Sequence, residues 1–187
     1  MIDYRKTIGQ AAEEMKTAAG NVDPSEIDRL AREIARARKI VLHGVGREGL
    51  MIRALAMRLY HMGLDAHVAG DMSAPPVGDG DLLLVSAGPG HFSTIEALVD
   101  VATKAGARTA CVTAQRDGKV PRVCHTVLTI PAQTMANDIG AASASVLPMG
   151  SLFEGAQYLT FEVLILMLRD RLNVSPSAMR ERHTNLE

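Results

Sequence analysis

Apolar and polar positions along this chain follow two different periods, and each change of period marks a new element. In one stretch Leu82, Leu83, Leu84 and Val85 run without a polar break, Gly88, Pro89 and Gly90 interrupt them, and helical spacing starts at Ser93. An apolar run of this kind predicts a strand covered on both faces, as in a parallel sheet wrapped by helices. Beyond it Ile95, Leu98, Val99 and Ala102 recur three or four apart, with Glu96, Asp100, Thr103 and Lys104 between them. That spacing predicts an amphipathic helix, closed by Gly106.

The same reading extends along the chain. Ile8, Ala12, Met15 and Ala19 predict a first helix that ends at Gly20 and Asn21. A second helix opens with Asp23 as cap, Pro24 at the first position and Glu26 at the third, a capping-box arrangement. Strands are predicted at 39–42, 66–69, 82–85, 109–113 and 126–130, with a helix over 50–62. Residues 131–148 read as a loop, 151–172 as a long apolar helix, and Ser175 with Pro176 as the start of a short last helix. Strands alternating with helices imply βαβ units. The expected fold is therefore α/β, a single doubly wound domain over 1–187 with a mostly parallel five-stranded sheet flanked by helices. Within it 1–38 would form N-terminal helices, 39–172 the sheet core, and 173–187 a C-terminal helix and tail. In such sheets ligands sit beyond the carboxyl ends of the strands, at a switch point. The glycine loops after Leu42 and Val85 are the natural walls.

Composition narrows the function classes. Twenty Lys and Arg balance 21 Asp and Glu, which removes the simplest case for nucleic acid or an anionic membrane. No stretch reaches about 18 uncharged apolar residues; the apolar run over 159–168 contains Glu162. Cys111 and Cys124 form no Cys-x-x-Cys pair and read as reduced thiols, so a cytoplasmic location is expected. His61, His67 and His125 lack ligand spacing, so no metal is expected.

Two loops carry candidate chemistry. Gly44, Gly46 and Gly49 fit the G-x-G-x-x-G dinucleotide fingerprint, with Asp71 where a ribose-binding acid would fall. Glu48 would put a carboxylate beside the pyrophosphate, which counts against that reading. A tight strand-to-helix turn without ligand fits as well. At the second loop, Ser93 and Thr94 at a helix start suit either an anion or a simple cap.

Several segments together resemble the sugar isomerase (SIS) domain, and within it the 6-phospho-3-hexuloisomerases. They are His43-Gly44-Val45-Gly46-Arg47-Glu48-Gly49, then Ala56-Met57-Arg58-Leu59 with His61 and Gly63, and the stretch 68–75. The most specific are Pro148-Met149-Gly150-Ser151-Leu152-Phe153-Glu154 and Arg182-His183-Thr184-Asn185-Leu186-Glu187. The resemblance implies an isomerase that moves a proton between adjacent carbons through a cis-enediol, with no metal or cofactor. It implies Glu154 as base and His183 for ring opening or proton relay. It implies a sugar-phosphate site at Gly46, Arg47, Glu48, Ser86, Gly88, Gly90, His91, Ser93 and Thr94, with Asp71 and Ser73 as pocket lining. It also implies a homotetramer, or a dimer, whose sites are shared between subunits. Two departures stand out. Glu48 replaces the family's usual Ser, and Ser86-Ala87-Gly88-Pro89-Gly90-His91 replaces a Ser-Gly-Ser-Gly-Glu-Thr phosphate loop. They leave open an isomerase of another sugar phosphate, or a non-catalytic phosphosugar sensor.

Overall fold

Strand β3 (Leu82–Ser86) runs through the middle of the molecule and is buried along its whole length. In the computed structural model, which describes residues 2–139 and 145–186, it pairs in parallel with β1 (Ile40–His43) and β4 (Arg108–Thr113). Beyond these lie β2 (Ala66–Val68) and β5 (Thr126–Thr129), giving a parallel 5-stranded sheet of order β2-β1-β3-β4-β5. The order reverses between β1 and β3. That is the switch point where the ends of two neighbouring strands open a crevice.

The unbroken apolar run of β3 follows from helices on both faces. Leu82 and Leu84 join a cluster with Leu30, Leu55 and Leu164, from α2 (Pro24–Arg36), α3 (Gly46–His61) and α6 (Ser151–Arg171), to which α1 (Tyr4–Gly20) adds Ala18. Leu83 and Val85 point the other way, onto Ile95, Val99 and Val120 from α4 (Ser93–Lys104) and α5 (Lys119–Val123). A short α7 (Pro176–Glu181) rests on the first layer through Met179. Helix α6 is long and apolar enough to cross a membrane by length and composition. Its inner face, including Phe153, Phe161, Leu164 and Leu168, is buried, so it serves as a core helix. Gly155 lets the Met15 side chain of α1 come in close, and a Cβ there would require that side chain to shift.

Local expectations hold with four revisions. Helix α3 begins at Gly46 rather than near residue 50, because Gly46 takes a left-handed φ of 57° and starts the turn inside the glycine loop. The connection after β4 contains α5. Asp23 caps α2 as expected, accepting from the Ser25 amide at 2.7 Å, but no capping box forms. Glu26 instead turns to the sheet, accepting the Thr129 amide at 2.7 Å and pairing with Arg116. Finally, Cys111 and Cys124, distant in sequence, are brought together. The neighbouring Cys124 thiol, with burial, pushes the Cys111 thiol well up, which suppresses its nucleophilicity. Part of the expected 131–148 loop, residues 140–144, lies outside the described residues.

Candidate active site

A cleft of about 300 Å³ opens at the switch point, between the loop after β1, the loop after β3 and the N-terminus of α6. The glycines shape its floor. A Cβ on Gly49 would lie 2.6 Å from the Gly44 carbonyl oxygen, so only glycine lets the first turn of α3 press on the end of β1. That approach aims Arg47 and Glu48 inward. At the far wall Gly150 is left-handed, with φ 83°, and a Cβ there would sit 2.8 Å from the Met135 amide nitrogen. This close turn starts α6 and places Glu154 in its first turn, above the cleft.

Arg47 joins the two walls. Its Nε lies 2.6 Å from Glu154 Oε2, and its guanidinium donates to the Met149 carbonyl. Behind this pair lies a second carboxylate. Glu48, 6% exposed, accepts the Ser86 hydroxyl at 2.5 Å and the Gly88 amide at 2.9 Å, both on Oε2. Gln157 Nε2 donates to the same Ser86 Oγ at 2.8 Å. Burial pushes the Glu48 carboxyl above the usual carboxylate range, and the nearby Glu154 charge adds to this against the pull of the two hydrogen bonds. Pro89, Phe92, Phe153 and Met135, with the polar Thr134, complete a mostly apolar lining.

The structure thus brings together Gly46, Arg47, Glu48, Ser86, Gly88 and Glu154. The other expected site residues lie elsewhere in the chain. Asp71 pairs with Arg53 at 3.2 Å, in a separate groove that it shares with Ser73. His91 pairs with Glu96 at 2.8 Å on the surface. Ser93 lines another groove, along α4. Neither it nor Thr94 caps that helix, whose N-cap position is Phe92 with no side-chain cap bond. Gly90 packs on Gln115 and Gly118 as a close backbone crossing. The His183 ring stacks 5.2 Å from that of His61, in a basic pocket with Arg58, Arg169 and Arg180, apart from Glu154. Sequence reasoning missed Gln157, although an amide three residues after Glu154 within an apolar helix was a signal. Its Oε1 is buried without a donor among the described residues. The dinucleotide reading loses ground, because Glu48 fills the space behind the glycine turn and Asp71 is turned to Arg53.

Comparison with known proteins decides the family. The SIS domain model matches residues 33–160. This chain belongs to the SIS domain family. The SIS chain is 36% identical to a 3-hexulose-6-phosphate isomerase of Mycobacterium gastri over 99% of its own length and 92% of the relative's. It is 30% identical to a protein of the same name from Bacillus subtilis, covering 96% and 97% of the two chains. A solved structure from Methanococcus jannaschii, whose inferred molecular function is 3-hexulose-6-phosphate isomerase, superimposes with a TM-score of 0.84 at 24% identity over 97% and 99% of the chains. At that identity the superposition supports the SIS fold alone.

Proposed function

We propose that this SIS protein is a phosphosugar isomerase converting 3-hexulose 6-phosphate to fructose 6-phosphate through a cis-enediol. The observation that carries the reading is Glu154: an ion-paired carboxylate at the mouth of an apolar cleft, in a chain that is 36% identical over nearly full length to an isomerase of that name. Moving a proton between adjacent carbons needs a base on one face of the carbon acid and a proton source for the carbonyl oxygen. Glu154 is the base, and Arg47 holds its orientation. The backbone N–H groups of the first turn of α3, at Gly46 and Arg47, are the anion-binding end of a helix and receive the phosphate. The chemistry uses no metal or redox cofactor.

His183 acts in ring opening at a neighbouring subunit's site. Support comes from α3 and α6, which pack on each other and leave Met57, Tyr60, Tyr158, Val163 and Leu166 exposed. Exposed apolar side chains in this number on two adjoining helices suit self-association and support a homotetramer or dimer with shared sites; sedimentation showing a monomer at working concentration would remove it. Free thiols and a metabolic substrate fit the cytoplasm.

The test is a coupled assay. Ribulose 5-phosphate, formaldehyde and a hexulose-phosphate synthase supply the substrate, and fructose 6-phosphate is read out. Its formation must depend on this protein. A second reading, an isomerase of another phosphosugar, is favoured by Glu48 occupying the Ser86 and Gly88 donors; turnover confined to the hexulose in a phosphosugar panel excludes it.

A further inference from the structure

A second carboxyl group, Glu48, lines the cleft beside Glu154. The Glu48 network has a fixed direction: Gln157 Nε2 donates to Ser86 Oγ, so the Ser86 hydroxyl proton points to Glu48 Oε2, which also accepts the Gly88 amide. Both lone pairs of Oε2 are thereby used. Oε1 remains. It lies in the gap between Gly88 and Phe153: a Cβ on Gly88 would come 2.8 Å from Oε1 and 2.8 Å from the Phe153 ring. Phe153 and Glu48 both line the cleft that Glu154 opens on. One cleft thus holds two carboxyl groups in different settings, Glu154 against a guanidinium and Glu48 buried among neutral donors with no Lys or Arg paired to it among the described residues. Settings that separate two acids in this way separate their roles, one as base and one as acid.

We propose that Glu48 is the second acid–base group of this site, protonating the substrate's carbonyl oxygen from Oε1 while Glu154 works on carbon. The proposal rests on the isomerase reading above. The balance closes in two steps. Glu154 takes the proton from C2, the C2–C3 bond becomes double, and the electrons of the C3 carbonyl move to O3, which takes the Glu48 proton. In the resulting 2,3-enediol the Glu48 carboxylate removes the proton from O2, the C2 carbonyl forms, and Glu154 returns its proton to C3. Both carboxyl groups end as they began. The net change moves one hydrogen from C2 to C3 and one from O2 to O3, with no other reactant. The groups facing Glu48 are Glu154 from α6, Arg47 on its own helix, Ser86 and Gly88 from β3 and its loop, Gln157 from α6, and the Cys111 thiol from β4. Arg47 is the cation nearby, and it is paired with Glu154.

The experiment compares wild type with Glu48→Gln on 3-hexulose 6-phosphate across the pH range. Gln keeps the acceptor for Ser86 and Gly88 but has no proton to give. It is expected to lower kcat about 100-fold with KM within about threefold, and to lose the alkaline fall in kcat that marks an acid which must stay protonated. Glu48→Gln with kcat within threefold of wild type and an unchanged pH profile overturns the proposal and leaves the isomerase reading intact. A wild type that turns over no phosphosugar overturns that reading, and this one with it. Should the Gln variant not fold, Glu48→Asp carries the test. It retains the acid but draws it back by one methylene, so kcat should fall about tenfold with the alkaline limb kept; full activity in that variant overturns the assignment.

Discussion

The two ends of β3 carry two buried carboxylates whose surroundings act in opposite directions. Asp81, just before the strand, has a side chain only 1% exposed, yet Arg38 lies at 3.0 Å, Lys39 at 3.4 Å, and the Gly78 amide donates at 3.0 Å. The Arg38 hydrogen bond, with the Gly78 amide and the two positive charges, holds its carboxyl below the usual range against the cost of burial. Glu48 reaches the other end of the same strand and finds a hydroxyl, an amide and an aromatic ring. No Lys or Arg pairs with it among the described residues, and burial pushes its carboxyl up. A buried acid that keeps its charge is a clamp, here tying the start of β3 to the residues before β1. One that burial biases toward its protonated form is perturbed in the way that, in a cleft, points to chemistry.

The largest effect is expected at the reacting end. Glu154→Gln should lower kcat about 10³-fold while sugar phosphate still raises the melting temperature, because the α3 turn proposed to receive the anion is untouched. Near-normal turnover would remove Glu154 as base. Glu48→Gln comes next, with the roughly 100-fold loss argued above. If the two ends of β3 differ as described, Asp81→Asn leaves kcat unchanged. It should instead cost about 2 kcal/mol of stability, since charge-assisted bonds to a buried carboxylate are lost, read as a lower urea midpoint. A drop in kcat with stability held would erase the distinction between the ends.

Much of this was legible in the sequence because it rests on local rules. The apolar run of β3 announced a strand buried on both faces, and the broken glycine stretches announced the loops at the switch point. Asp23 was recognisable as a cap because capping needs only neighbours in sequence. Glu26 was misread for the converse reason: its spacing fitted a capping box, but the Thr129 amide, more than a hundred residues away, offered a better partner. Ser93 and Thr94, at a helix start, suited either an anion or a simple cap, and the family resemblance implied the anion. The path of the loop past Pro89 starts α4 from Phe92 and leaves both hydroxyls outside the cleft. Glu48 was visible as an oddity, but its proposed role depends on Ser86 and Gly88 at the end of β3 and Gln157 on α6 converging on it from two other places in the chain.

Gly88→Ala tests whether the space beside Glu48 matters. The added Cβ would meet Oε1 and the Phe153 ring at 2.8 Å, a contact that something must yield to. About 1–2 kcal/mol of stability should be lost, with a kcat loss smaller than that of Glu48→Gln and a lesser change in KM. If Gly88→Ala lowers stability alone, Oε1 does not face the substrate.

The smallest effect compares the ends most directly, because it reads both on one pH axis. Glu48 has a raised pKa in the folded chain, so the folded state binds its proton more tightly than the unfolded state. Its cost to stability begins as pH rises past the ordinary carboxylate value and is complete above the folded pKa. Glu48→Gln removes that cost, so the variant should gain on wild type as pH rises past the ordinary carboxylate value and run level above the folded pKa. Asp81 has the opposite sign: its contribution is complete above the ordinary carboxylate range and fades as pH falls through the depressed folded pKa. The deficit of Asp81→Asn should therefore shrink in acid. For a chain of this length about 1 kcal/mol corresponds to roughly 2–4 °C in Tm, within reach of calorimetry at a series of pH values. The Tm of Glu48→Gln relative to wild type should rise with pH, and that of Asp81→Asn should fall. If both differences moved the same way, the two carboxylates would share one electrostatic character, and the assignment of one end of β3 to structure and the other to chemistry would fail.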